Sequence, residues 1–464
     1  MTIALRPYQL EAVQRVRLAF QEGHRAVLFV LPTGGGKTVV FSHIAEQAAQ
    51  RGKRIAVLVH RVELLDQACR SLDAMGVEHG LIAAGRSMNL RAPVQVASVQ
   101  TLARRLPKLP ADLFQLLIVD EAHHSNAGTW AAVIAHFKTA RLLGVTATPV
   151  RSDGRGLGEF YSELVLGPTA AWLSEQGYLA RARVFAPPLG FSVKGLRKRM
   201  GDFDLNQAAG ALGGSRILGD AVSHFRSHLL GRTAIAFCCS IAHSQAVAEA
   251  FTERGIPAAA IDGSMDAKQR RLLLERLGSG ELQVLTSCSL IGEGVDVPSV
   301  GGCLLLRPTQ SLALHLQMIG RCLRPQPGKE ALILDHVGNI ERLGHHLDPQ
   351  EWSLDGIKKR EQTRAPSVKT CPKCFCAMAS TLSLCPECGH TFRPERQKLV
   401  TVEGELREIS QQELRCRKKR EQGEARSLED LIALGTRRGL KNPQGWARHV
   451  LAGRQTRGHW SRVA

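Results

Sequence analysis

Short apolar runs recur along the first three quarters of the chain, each followed by polar residues and then by a stretch whose apolar positions repeat at helical spacing. Five fall at 26–30, 55–60, 94–98, 116–119 and 142–146, and four more at 234–237, 284–286, 303–306 and 331–334. A continuous apolar run is the signature of a strand buried on both faces, and strands alternating with helices imply a parallel sheet with helices on both sides. The return of the pattern predicts two such sheets, in lobes spanning 1–182 and 183–346. The proline-, glycine- and arginine-bearing stretch 187–201 reads as the connection between them. Open parallel sheets bind ligands where their strands end, so the chemistry is expected in the polar residues that follow each run.

The first run leads straight into Leu31-Pro-Thr-Gly-Gly-Gly-Lys-Thr38 and then into a helical pattern. Gly34, Gly35 and Gly36 let the backbone wrap a phosphate with its N–H groups inward, and the helix N-terminus adds positive potential. Lys37 is placed to reach the β- and γ-phosphates of ATP, and the Thr38 hydroxyl to ligate Mg²⁺. The fourth run emerges into Asp120-Glu-Ala-His123. Asp120 is suited to hold the Mg²⁺ through its water shell, and Glu121 to orient and deprotonate the attacking water. In the second lobe, Gln317-Met-Ile-Gly-Arg-Cys-Leu-Arg324 sets Gln317, Arg321 and Arg324 at i, i+4 and i+7. On one face of a helix, both guanidinium groups could reach across a cleft to the γ-phosphate.

With these parts in this order the chain resembles the superfamily 2 helicases and translocases that carry Asp-Glu-Ala-His in their second motif, enzymes built on two tandem RecA-like lobes. The resemblance covers most of residues 1–346. It accounts for Leu31 where a generic phosphate loop has glycine, since the family's loop reads x-x-T-G-x-G-K-T and so includes Thr33. It implies that Leu5-Arg-Pro-Tyr-Gln-Leu-Glu-Ala12 reads adenine, with Gln9 offering donor and acceptor to the base edge and Tyr8 or Arg6 stacking on it. It assigns nucleic-acid backbone contacts to His60 and Arg61 in Val59-His-Arg-Val-Glu-Leu-Leu-Asp-Gln67, and to Ser98 and Gln100 in Ala97-Ser-Val-Gln-Thr101. In the fifth motif, Thr286 through Pro298, Thr286 would face the strand, and Gly294 and Asp296 the nucleotide. His123, Thr146 and Thr148 would couple phosphate state to strand grip.

Beyond the lobes and a linker over 347–368, the pattern changes. Of the twelve cysteines, five lie between Cys371 and Cys388. Cys371-Pro-Lys-Cys374 and Cys385-Pro-Glu-Cys388 are two knuckles that together suit a tetrahedral Zn²⁺ site, with Cys376 and His390 as further candidate ligands. A ribbon of this size, 369–395, has little apolar core, so the metal is expected to hold it folded. From 396 to 464 the chain holds 16 Lys and Arg against 8 Asp and Glu, reads as a basic helical tail, and places Trp446 among bases where it could stack on a nucleobase.

Net charge sharpens the picture: +19 at pH 7, with a pI near 9.8, favours a polyanionic partner. The chain opens with no apolar signal region and contains no run of membrane-spanning length, so a cytoplasmic, nucleoid-associated protein without a membrane partner is expected. The lobes, ribbon and tail together resemble the bacterial RadD branch of superfamily 2. That resemblance implies an ATPase acting on single-stranded or branched DNA in repair or recombination, with single-stranded-DNA-binding protein as a partner. An RNA helicase, a restriction-system motor subunit, and a zinc-dependent scaffold whose ATPase is a slow switch are the alternatives.

Overall fold

The computed structural model describes residues 4–356 apart from 125–127, 152–153, 187–195, 200–201, 206, 209–214, 289–299 and 349. Beyond 356 it describes 368–370, 377–379, 384, 389, 391, 407–408, 411–425, 427–440 and 442–460. The chain divides into two units, 1–358 with 402–409, and 359–401 with 410–464.

The larger unit holds both lobes. In the first, β1 (Ala26–Val30), β2 (Ile55–Val59), β3 (His79–Ile82), β4 (Val94–Ser98), β5 (Leu116–Asp120), β6 (Arg141–Thr146) and β7 (Glu163–Leu166) form one sheet in the order β3-β4-β2-β5-β6-β1-β7. All its pairings are parallel. Its helices are α1 (Pro7–Gln21), α2 (Lys37–Gln50), α3 (Val62–Ala74), α4 (Val99–Arg105), α5 (Gly128–His136) and α6 (Ala170–Glu175). The central strands are buried along their whole length, which is why they read as unbroken apolar runs. One face packs on Trp130, Val133, Phe137 and Tyr161. Since parallel strands all point one way, the ends of β1, β2, β4, β5 and β6 share one edge, and the candidate residues after them are gathered there.

The second sheet runs β12-β13-β11-β14-β15-β8-β18. It comprises β8 (Arg181–Ala186), β11 (Thr233–Phe237), β12 (Ala258–Ile261), β13 (Val284–Ser287), β14 (Val300–Leu305), β15 (Glu330–Asp335) and β18 (Arg407–Glu408), the last antiparallel to β8. Helices α7 (Ser215–His228), α8 (Ile241–Glu253), α9 (Ala267–Ser279), α10 (Leu312–Gly320) and α11 (Asn339–Leu343) complete the lobe. The connection between lobes therefore lies before β8, through 167–180, and not at 187–201. At and just past the end of that stretch β9 (Lys198–Arg199) and β10 (Asp202–Phe203) form a ribbon belonging to the second lobe: the Asp202 carboxylate accepts from the Thr309 hydroxyl at 2.8 Å and from Gln310 N at 2.7 Å. After α11 the chain returns to the first lobe. Gly158 N donates to Leu354 O at 2.9 Å, and Trp352 and Leu354 pack on the first lobe's core, so this part of the expected linker is a strap across both lobes.

The smaller unit contains β16 (Val368–Thr370) paired antiparallel with β17 (Ala377–Ala379), then α12 (Gln411–Glu424), α13 (Leu428–Arg437) and α14 (Pro443–Trp460). Cys371, Cys374, Cys385 and Cys388, with Cys376 and His390, lie outside the described residues. In α12, Arg417–Glu421 and Arg420–Glu424 ion pairs at i, i+4 offset part of the basic run. Trp446 is not presented for base stacking as its neighbours in sequence suggest. It packs, partly buried, against the α13–α14 cluster of Leu431, Leu434 and Ala447 and lies 5.8 Å from the Arg438 guanidinium, because the apolar face of a helix pair this small needs a large ring to cover it. No described helix is long and apolar enough to cross a membrane.

Candidate active site

At the end of β1 the chain turns through 31–36 and enters α2 at Lys37. Gly34 and Gly36 have φ of +86° and +88°, a region that side-chain-bearing residues rarely adopt, and this lets the loop curl with its amides facing one point. The loop is braced from behind. Tyr8 Oη donates to Gly35 O at 2.7 Å and Gln9 Nε2 to the same oxygen at 3.3 Å, while Arg6 N donates to Gln9 Oε1 at 2.9 Å. The Arg6 guanidinium lies 4.8 Å from the Tyr178 ring. Arg6 and Gln9 thus lie beside the loop, and the carboxamide of buried Gln9 bonds both the loop and its own helix, where it closes the capping box of α1.

Asp120 and Glu121 follow β5, side by side and buried. The Asp120 carboxyl is pushed up to about 7, chiefly by burial and next by Glu121, while Lys37 pulls it back toward the charged form. The loop, the Thr38 hydroxyl and the Asp120 carboxylate thus make a hard-oxygen pocket in which extra positive charge is stabilising, a donor set that fits Mg²⁺ shared with phosphates. Among the described residues no group of three or more His, Cys, Asp and Glu could hold a metal alone. Glu121 is the one non-glycine residue among those described with positive φ, +51°. Its Oε2 sits 3.5 Å from His123 Nδ1, which in turn lies 3.1 Å from Thr146 Oγ1. Thr146 Oγ1 donates to Thr148 O at 2.9 Å. His123, Thr146 and the backbone carbonyl of Thr148 therefore form one chain of contacts running from the acid pair to the end of β6.

On the neighbouring strand ends His60, Ser98 and Gln100 come together: Ser98 Oγ donates to Gln100 Oε1 at 2.9 Å and Gln100 Nε2 to His60 O at 3.4 Å. Arg61 caps α3 beside them. Thr286 does not join this surface. It is fully buried in β13, its hydroxyl bonded to Ser244 O at 2.7 Å, because the apolar strand carries it below the sheet's edge. Gly294 and Asp296 lie outside the described residues. One contact was not legible: Gln67 Nε2 donates to Thr38 Oγ1 at 3.1 Å, though its only signal in sequence was a place at the end of the Val59–Gln67 segment.

The two lobes meet at the phosphate loop. A Cβ on Gly320, the last residue of α10, would overlap the Thr33 side chain, so only glycine lets this helix end lie against the loop. Gln317 and Arg321 are buried there. The expectation that Arg324 shares their helical face is corrected: α10 stops at Gly320 with Arg321 as its cap, because Pro325 disfavours a helical residue before it. Arg324 lies past the helix end, outside any helix or strand, and its carbonyl accepts from Lys329 Nζ at 2.8 Å. Between the lobes Thr33, Ala147, Leu179, Leu316, Leu323 and Trp352 line part of a cavity of about 110 Å³.

Residues 2–151 match the family model described as type III restriction enzyme, res subunit, and residues 218–326 the helicase conserved C-terminal domain. Among similar proteins, a 51.5 kDa protein of a Lactococcus phage is 33% identical over 390 residues, 83% of each chain. The DNA 3'-5' translocase XPB2 of Sulfurisphaera tokodaii is 26% identical over 385 residues, 72% of this chain and 82% of its own. In fold, the chain is similar to a fragment of an HsdR subunit of a type I restriction enzyme from Vibrio vulnificus, with a TM-score of 0.60 at 22% identity, over 73% of this chain and 65% of that one.

Proposed function

The chain belongs to the superfamily 2 helicases, and from that premise we propose that it is an ATP-driven motor that moves along DNA, acting at repair or recombination intermediates. The observation that carries the motor reading is the contact of Gly320 with Thr33, which seats the arginine-bearing end of the second lobe on the phosphate loop of the first. Hydrolysis assembled from two lobes is hydrolysis that depends on their closure. In the closed arrangement the loop amides and Lys37 bind the phosphates, Thr38 and Asp120 would hold a Mg²⁺ whose chemistry is to offset phosphate charge, Glu121 takes the water's proton, and Arg321 and Arg324 neutralise charge from the far side. His123 and Thr146 then link that chemistry to the strand ends where His60, Arg61, Ser98 and Gln100 face the track. Closing and opening shifts one lobe's grip against the other, and movement follows.

DNA as the track is supported by the likeness to a DNA translocase and by the net charge of +19. A second reading, a motor subunit of a restriction system, is favoured by the restriction-enzyme family model over 2–151. RNA as track is separated by the same experiment. Steady-state ATP hydrolysis by the wild type and Lys37→Ala, alone and with single-stranded, forked or duplex DNA or RNA, should show strong stimulation by branched or single-stranded DNA that Lys37→Ala abolishes. Stimulation by RNA alone would overturn the DNA reading, and stimulation by duplex alone would move the chain toward the restriction motors.

The four cysteines are assigned to a structural Zn²⁺ that braces a DNA- or protein-contacting ribbon of the RadD kind, on the strength of two Cys-x-x-Cys knuckles ten residues apart. Metal analysis of purified protein should find one zinc per chain, lost in Cys371→Ser, with ATP hydrolysis in the lobes retained. Equal zinc content in the two would sink the assignment.

A further inference from the structure

Helix α3 carries two polar contacts on one face that lead to different parts of the machine. Glu63, in its first turn, pairs with Arg270 of α9 in the second lobe at 2.9 Å, and both side chains are largely buried, at 27% and 17% exposure. Arg270 is held in place for this pairing, since its other guanidinium nitrogen donates to Met265 O at 2.9 Å and α9 is fixed by a capping box between Asp266 and Gln269. One turn further along α3, Gln67 donates to the Thr38 hydroxyl at 3.1 Å. Residues four apart lie on the same helix face, so both contacts ride on one rigid piece. The opposite face seats Leu64, Leu65, Ala68 and Leu72 in the first lobe. The helix starts at Val62, with Arg61 at its N-cap position directly after His60.

We infer that α3 is the element through which closure of the second lobe reaches the Mg²⁺-holding hydroxyl: Glu63 latches to Arg270, and Gln67 is a positioning residue for Thr38. A hydroxyl oxygen has two lone pairs and one proton that rotates to suit its surroundings. With the Gln67 N–H donated into one lone pair, the proton and the second lone pair are confined to the two remaining positions, which narrows the directions from which the oxygen can meet Mg²⁺. When the lobes part, the Glu63 contact breaks, α3 is released at the end nearest the track residues, and Gln67 no longer fixes Thr38. The same helix thus ties the strand-facing residues, the state of the lobes and the phosphate site together. The inference rests on the reading that ATP is hydrolysed in this cleft, and wild-type turnover tests that reading separately.

Two sets of variants test it in the full-length protein, each with its melting temperature measured to confirm folding. For Gln67→Ala and the near-isosteric Gln67→Met, a fluorescent ADP is titrated with and without Mg²⁺, a readout independent of turnover. The Mg²⁺ concentration for half-maximal signal should rise about 10- to 100-fold, as for loss of a partner behind a metal ligand, while Mg²⁺-free binding stays at the wild-type level. For the latch, Glu63→Arg and Arg270→Glu should each lower nucleic-acid-stimulated hydrolysis by about 5- to 10-fold, and the double exchange, which restores opposite charges, should recover most of it. An unchanged Mg²⁺ dependence in folded Gln67→Ala overturns the role of Gln67. Additive losses in the double exchange overturn the latch.

Discussion

Glu121→Gln should lower ATP turnover by about 10²- to 10⁴-fold, the usual contribution of a positioned general base, while a fluorescent ATP analogue binds with near wild-type affinity. The backbone supports this expectation as strongly as the motif does. A left-handed conformation costs a side-chain-bearing residue about 1–2 kcal/mol, and Glu121 alone among the described non-glycine residues adopts it, at the end of a fully buried strand. That turn separates the directions of two adjacent carboxylates that a regular strand or helix would leave competing for the same space. Asp120 is left beside Lys37, and Glu121 beside His123. Glutamine keeps the size and the hydrogen-bonding reach but cannot accept a proton. Single-turnover hydrolysis read beside binding is the check, and an equal loss of both would move Glu121 from catalysis to nucleotide binding.

How far the sequence led depended on burial. The central strands β1, β2, β4, β5 and β6 were legible because both faces are covered, whereas β3, β7 and β12 were missed because they sit at sheet edges, are short, and are only partly buried. The strand β8, Arg181-Ala-Arg-Val-Phe-Ala186, escaped because its polar and apolar residues alternate, and with it went the position of the crossover between lobes. Among site residues, those on the strand ends of the first lobe were placed well, since a parallel sheet fixes where every such end must be. Two kinds of feature were hidden. A tertiary hydrogen bond such as Gln67 to Thr38 joins positions that no local spacing relates, and the depth of a hydroxyl, as at Thr286, depends on where a strand crosses the sheet's edge. Proline also mattered more than periodicity at the end of α10, where Pro325 overrode the i+7 spacing that pointed to a longer helix.

That correction bears on the second large effect. Arg321→Ala and Arg324→Ala should each lower hydrolysis by about 10³- to 10⁵-fold with ATP binding near normal, the range expected when an arginine that neutralises transition-state charge is removed. The two side chains reach the cleft by different supports. Arg321 caps α10 immediately after Gly320, so the closeness of that glycine to Thr33 fixes its approach, and its burial holds it there. Arg324 stands on the segment before Pro325, tied by the Lys329 ammonium to its carbonyl, and so depends on that segment and not on helix geometry. Lysine substitution should discriminate between charge and shape: Arg→Lys keeps a positive charge but loses the planar fork, and should recover only a small part of the rate at either position. Nucleotide binding is expected to survive because the loop amides, Lys37 and Thr38 all belong to the first lobe. The measurement is turnover beside equilibrium binding for each variant. A parallel collapse of binding would show that the arginines hold the ground-state phosphates, and closure would then serve nucleotide binding and not the chemical step alone.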